Sequence, residues 1–146
     1  MSSYSERLQR RPDFRVRYRW IEEQAGGLHQ KPFQHMRCDF SYESDDVQRD
    51  GIYMVWPEFE NVEGIPSAEG VPIPSEGVAS MWIVVPEMRV QVHRQKARVG
   101  ERGFFMVGGT QIAEAEIIEI VGLYDPPASS SPSNPGLQRT GLAPRR

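Results

Sequence analysis

The sequence predicts an all-β protein whose body is a closed antiparallel β-barrel of about six strands. Apolar and polar residues alternate with a period of two along several segments, as in half-buried strands. The 146 residues include 13 Gly and 12 Pro, which favours short strands joined by turns. No long helical pattern is present. A closed barrel also leaves no sheet edge exposed to other chains.

The clearest strand is predicted at 14–20, where apolar residues alternate with arginines. Further strands are predicted at 36–42, 51–59, 79–85, 88–99, 103–107 and 111–121. Pro57 should end the third strand or place it at a sheet edge, because proline cannot donate to a ladder. Gly108 and Gly109 predict the turn between the last two strands, and residues 60–77 form a long connection.

Three regions follow from this pattern: a loose N-terminal arm or single helical turn at 1–12, the barrel at 13–124, and a disordered tail at 125–146. Residues 126–146 contain five Pro, four Ser and no aromatic residue, too little apolar area to order the segment. The barrel region has 11 Lys and Arg against 18 Asp and Glu, a net charge of −7. The basic ends therefore mask an acidic domain.

Charge and cysteine content exclude several classes of protein. The whole chain has a net charge of −3, which argues against nucleic-acid binding through bulk positive charge. Cys38 is the single cysteine, so no intrachain disulfide can form. The N-terminus has no secretory signal pattern, and no apolar run is long enough for a membrane helix. We therefore expect a cytoplasmic protein without membrane contact.

Two segments resemble one protein family. Residues 26–40 resemble the start of the third, C-terminal β-barrel domain of bacterial elongation factor Tu. The matching positions are Gly26, Gly27, His29, Phe33, Arg37 and Phe40. Residues 104–122 are similar to the closing hairpin of that domain, and His93 after Val92 resembles the Ile-His pair before it.

The resemblance implies a translation-factor-like barrel standing alone, without the GTPase domain. No phosphate-binding Gly-x-x-x-x-Gly-Lys-Ser/Thr is present, so no nucleotide is expected. In the family this domain helps to bind the T-stem of aminoacyl-tRNA. Where the family has Arg, Gln and Glu, this chain has Leu28, Asp39 and Val107. The resemblance implies binding roles for His29, Arg37 and Gly108, with Gly26, Gly27 and Gly109 shaping loops and turns.

The remaining candidates each have a structural and a functional interpretation. The arginines of the first strand, Arg15, Arg17 and Arg19, form a possible basic surface for nucleic acid. Alternatively, they pair with carboxylates on a neighbouring strand, for which Glu114, Glu116 and Glu119 are candidates. His29 either contacts a partner or orders its loop. Arg94, Lys96 and Arg98 form a second possible basic row.

The histidines and the cysteine lack the paired spacing of a structural zinc site, so no metal and no other cofactor is expected. Cys38 falls on the apolar side of its strand and is predicted to be buried. A nucleophilic pair of Cys38 with His35 or His93 is the basis of a third hypothesis, a small hydrolase or metal enzyme.

The sequence thus predicts a non-enzymatic module that binds a protein partner, with no catalytic residues. The alternative is a translation-associated protein that binds tRNA or another RNA, for which His29 and the arginine rows are the observations in favour.

Overall fold

The computed structural model describes residues 3–22, 31–45 and 52–126. A short helix, α1 (Tyr4–Leu8), precedes the strands. The strands are β1 (Phe14–Trp20), β2 (Asp39–Tyr42), β3 (Val55–Phe59), β4 (Glu76–Ile83), β5 (Arg102–Val107) and β6 (Thr110–Ile120). They form one six-stranded sheet in the order β2-β5-β6-β1-β4-β3, and every pairing is antiparallel.

The alternation along β1 has the predicted effect. Phe14, Val16 and Tyr18 are almost completely buried on the concave side, while the arginines between them project outward. The core on that side also contains residues of every other strand. Its largest members are Phe14, Tyr18, Phe40, Tyr42, Phe59, Met81 and Phe105.

The sheet curls into a half-barrel, so the prediction of a closed barrel is wrong. The edge strands β2 and β3 share no ladder, and the nearest pairing is an isolated bridge between Phe40 and Tyr53. The free edge of β3 is occupied instead. The Gln34 side chain accepts from the Phe59 N–H at 2.8 Å and donates to its carbonyl at 2.9 Å. Pro57 lies in this edge strand, as one of its two predicted interpretations requires.

The predicted strand at 88–99 is also wrong. Residues 86–96 are helical, passing from Pro86–Met88 through a π-helical turn at Arg89–His93 to Arg94–Lys96. The buried residues are Arg89, His93 and Ala97, at a spacing of four that suits a helix. Two of these three residues are polar, so a search for apolar periodicity misses them.

Other boundaries shift by a few residues. The second strand begins at Asp39 because the chain turns at His35, whose φ is 68°. The third begins at Val55. The predicted turn between β5 and β6 is confirmed, with Gly108 at φ 61°.

Of the two alternatives predicted for the N-terminal segment, the structure shows the short helix, α1, which is bonded to the sheet. The Ser3 side chain accepts from the Glu6 N–H and the Glu6 side chain accepts from the Ser3 N–H, a capping box that starts α1. Tyr4 is buried. Arg11 forms an ion pair with Asp125, which belongs to the region predicted as tail. Residues 127–146 of that region lie outside the described residues.

Candidate binding surface

The arginines of β1 lie beside the carboxylates of β6 on the outer face of the sheet. Arg15 donates to both oxygens of Glu60 at 2.9 and 2.7 Å and to Glu119 at 2.7 Å. Arg19 donates to Glu114 at 2.8 Å. These bonds raise the pKa of Arg15, the bond to Glu60 contributing most. The predicted pairing with β6 carboxylates is confirmed for these two arginines.

The middle arginine, Arg17, is exposed and faces Glu116 in the register of β1 and β6. The outer face of these two strands therefore carries both signs of charge in alternation. A nucleic-acid backbone needs a continuous positive track, because each neutralised phosphate contributes separately to affinity.

A second surface lies where α1 contacts the outer face of β3 and β4. The Tyr4 ring is 6.1 Å from the Trp56 ring and 6.1 Å from the Trp82 ring, measured between centroids. The Arg7 guanidinium lies 4.9 Å from the Tyr4 centroid, and that of Arg37 lies 4.6 Å from the Trp56 centroid. We call Tyr4, Arg7, Arg37 and Trp56 the arginine–aromatic face.

Strand alternation places the tryptophans on this surface. Val55 and Phe59 of β3 belong to the core, so Trp56 points to the opposite side, where it faces Trp82 of β4 in the antiparallel register. Trp82 is buried beneath the face, whereas Trp56 is half-buried. Trp56 thus remains available at the surface on a rigid strand.

Tyr4 contacts the outer side of the sheet through its backbone as well as through its ring. Its N–H donates to Glu58 Oε2 at 2.9 Å, which joins the first turn of α1 to β3. Burial raises the pKa of Tyr4; Arg7 and Arg37 oppose that rise, and Glu58 adds to it. The phenol therefore stays neutral between two guanidinium groups.

The two arginines of this face are exposed, and within the part of the chain that the structure describes neither forms an ion pair. Each is held by a cation–π contact, which contributes about 0.5–1 kcal/mol at an exposed site. Among the described residues, no carboxylate is paired with the guanidinium groups of this face, in contrast to Arg15 and Arg19.

Next to the face is a cleft of about 580 Å³, which we call the histidine cleft. It is centred on His35, whose Nε2 lies 2.6 Å from Glu58 Oε2 and whose Nδ1 lies 2.6 Å from Glu69 Oε2. The His35 ring is 4.7 Å from that of Tyr4, so cleft and face share a wall. The remaining lining residues are Ser3, Glu6, Ile65, Pro66, Ser67 and Ala68.

Of the residues that the resemblance implies for binding, Arg37 lies on the arginine–aromatic face. Gly108 and Gly109 form the exposed β5–β6 turn, with nothing within 4 Å of an added Cβ. His29, Gly26 and Gly27 lie outside the described residues. Arg37 and Gly108 are thus the two members of the implied binding set that lie among the described residues.

Cys38 is buried, as predicted, with 4% of its surface exposed. Burial, with a smaller contribution from Asp39, raises the pKa of its thiol to about 12. His35 is engaged with Glu58 and Glu69, and His93 Nδ1 lies 2.6 Å from the Tyr42 hydroxyl. Among the described residues, the structure shows no hydrogen bond that joins Cys38 to either ring.

In the described ranges, no group of three or more His, Cys, Asp or Glu side chains is arranged to hold a metal ion. Nor does any helix there have the length and apolar content to cross a membrane.

The sequence reasoning missed Tyr4, Glu58 and the role of Trp56. One signal was present: Ser3 followed three residues later by Glu6 is the capping-box pattern and predicts a helix start. Nothing in the local sequence indicates that Tyr4 contacts strand β3, since its backbone bond to Glu58 joins residues 54 positions apart.

No protein-family model matches this chain, and no curated protein matches it. Fold and surface therefore define the class directly: a mostly β protein with a curled six-stranded antiparallel sheet and an arginine–aromatic face on its outer side.

Proposed function

We propose that the protein is a non-enzymatic binding module that docks an acidic segment of a partner protein on the arginine–aromatic face. The observation that carries this proposal is the pairing of Arg7 and Arg37, which form no ion pair with any described residue, with the rings of Tyr4 and Trp56.

The composition of the face supports a protein partner. Trp, Tyr and Arg are the residues most enriched among those that dominate binding energy at protein interfaces. Trp56 lies on a paired strand and Tyr4 is anchored to Glu58, so both rings are preorganised. Preorganised side chains lose little rotamer freedom on binding, which favours affinity.

The charge of the face selects the kind of segment. Arg7 and Arg37 can each donate to a carboxylate, and a bidentate arginine–carboxylate bond is directional as well as strong. Glu6, Glu58 and Glu69 lie in the adjoining cleft and repel a second anion there. A short segment with one or two carboxylates beside an apolar side chain therefore fits better than a long polyanion.

The resemblance to the third domain of elongation factor Tu belongs to the same proposal. The motifs at 26–40 and 104–122 support it, and a barrel-like domain of that kind would act by contact, in a process associated with translation.

An RNA- or tRNA-binding role is the second candidate, because an arginine over a tryptophan can also stack on a base. The surroundings oppose it. Glu60, Glu114 and Glu119 form ion pairs with Arg15 and Arg19 of β1, and these carboxylates would repel neighbouring phosphates.

The proposal is tested with a synthetic peptide rich in Glu and Asp around a central Phe, and with its Gln/Asn counterpart. We expect the acidic peptide to bind, the neutral one to bind far less, and Arg37→Glu to weaken binding at least tenfold, about 1.4 kcal/mol. Arg98→Glu is the matched control, because Arg98 is also exposed but lies outside the face.

Equal binding of the acidic peptide by the Arg37→Glu and Arg98→Glu variants would overturn the assignment of the face. A gel shift of tRNA at low salt that is lost in Arg37→Glu, without peptide binding, would favour the RNA alternative over the protein partner.

A further inference from the structure

The wall of the histidine cleft contains an unusual bridge. His35 stands between two carboxylates, with Nε2 and Nδ1 each 2.6 Å from a glutamate oxygen. Its backbone has φ 68°, a left-handed conformation that a residue other than glycine rarely adopts. We propose that His35 is a proton-dependent latch that ties Glu69, and the turn carrying it, to Glu58.

The number of N–H groups on the His35 ring determines how many glutamates the ring can bind. A carboxylate only accepts, so each of the two bonds needs an N–H on the imidazole. The doubly protonated ring has two N–H groups and satisfies both glutamates. The neutral ring has one, so after it releases a proton to solvent one carboxylate faces a nitrogen lone pair at hydrogen-bonding distance.

The burial of Glu58 and the exposure of Glu69 determine which carboxylate moves away from the neutral ring. The Glu58 side chain is 2% exposed and also accepts from the Tyr4 N–H, so it is fixed. The Glu69 side chain is 36% exposed and belongs to the connection between β3 and β4. Loss of the proton therefore releases Glu69.

The released part is confined to one turn. The Ser67 N–H donates to the Phe59 carbonyl at 2.9 Å, and the Ser67 carbonyl accepts from Gln34 at 2.8 Å, so Ser67 stays attached to β3. Beyond it, the one backbone hydrogen bond that closes the turn among the described residues is 3.3 Å long, from the Val71 N–H to the Ala68 carbonyl. We expect the turn 68–71 to open and the cleft to widen at Glu69.

Other titratable and charged groups also face this bridge, and their effects must be distinguished from that of the bond between His35 and Glu69. Tyr4 and Glu6 face it from α1, and Glu58 faces it from β3. Arg7 and Arg37 are the positive groups near this bridge, and both lower the pKa of the Tyr4 phenol that contacts the His35 ring. Glu69 is the only one of the two bridging carboxylates that can be changed without removing a buried bond to α1.

Amide hydrogen exchange of Val71 measures the latch directly, with the His35 ring followed by ¹⁵N NMR. With the protonation of the ring read from its ¹⁵N shifts at each pH, we expect Val71 protection to fall at least about tenfold from the doubly protonated to the neutral ring, after correction for intrinsic exchange. In Glu69→Gln the fall should be absent, because a side-chain amide can accept from the charged ring or donate to the neutral one.

Glu63→Gln, on the same connection, is the control and should keep the response of the unmodified protein. The latch is overturned if Val71 protection stays constant while the ring titrates, if the ring keeps both protons throughout, or if Glu69→Gln retains the fall. The result does not depend on whether the arginine–aromatic face binds a partner.

Discussion

The hydroxyl of Tyr42 lies 2.6 Å from Nδ1 of His93, and this contact joins β2 to the helical segment 86–96. Both groups are buried, and His93 Nε2 has no hydrogen-bond partner among the described residues. Burial lowers the pKa of His93 to about 4, with Lys96 also lowering it and Asp13 and Asp45 opposing. The ring is therefore neutral at pH 7 and shares one hydrogen bond with the Tyr42 hydroxyl through Nδ1.

Because His93 is buried in its neutral form, the free energy of unfolding decreases as the pH falls. The folded pKa of His93, about 4, is below the unfolded value of 6.5, so the unfolded chain binds the proton more readily. The contribution is complete above pH 6.5 and is lost as pH falls towards 4, up to about 3 kcal/mol. Urea unfolding of the protein and of His93→Gln across this range should show a flatter profile in the variant. Identical slopes would contradict the prediction.

Asp13 and Arg89 form an ion pair of 2.8 Å in the interior. Asp13 also accepts from the Ile83 N–H at 2.8 Å, so Asp13→Ala removes the neutralising carboxylate of a buried guanidinium and the acceptor of a buried amide. We expect a loss of about 3–5 kcal/mol in the free energy of unfolding. Arg11→Ala, which breaks an exposed pair with Asp125, should cost far less. Similar losses in denaturant unfolding of the two variants would refute this.

Gly103 lies on β5 opposite Tyr42 of the paired strand β2. An added Cβ would be 2.5 Å from the ring of Phe40 and 2.5 Å from the Ser41 carbonyl oxygen. Gly103→Ala should therefore destabilise the fold by about 1–3 kcal/mol, measured as a lowered thermal midpoint. Gly109→Ala, with open space around the added carbon, serves as the control and should be nearly neutral. A Gly103→Ala protein of unchanged midpoint would show that the strands can separate.

The Cys38 thiol should react slowly in the folded protein. Its exposure is 4% and its pKa about 12, so little reactive thiolate exists at pH 8. Labelling by a thiol reagent should be at least about a hundredfold slower than in urea. Labelling of the native protein at the rate of the unfolded chain would instead revive the hypothesis of a cysteine nucleophile.

The sequence predicts much of the sheet but little of the candidate surface. Strand β1 and the β5–β6 turn follow from alternation and from paired glycines, which are local signals. The arginine–aromatic face joins Tyr4, Trp56 and Arg37, which lie on three separate segments. No local pattern states that these segments meet.

The sequence by itself determined the mostly β character, the outward arginines of β1 and the burial of Cys38, because a period of two fixes which side of a strand each residue occupies. Tertiary structure decided whether the sheet closes into a barrel and whether residues 86–96 form a strand or a helix. Gln34 occupies the edge of β3 in place of a further strand, and Arg89 is buried because Asp13 neutralises it. Such partnerships depend on contacts between residues distant in sequence, where the free energy of burial outweighs local preference.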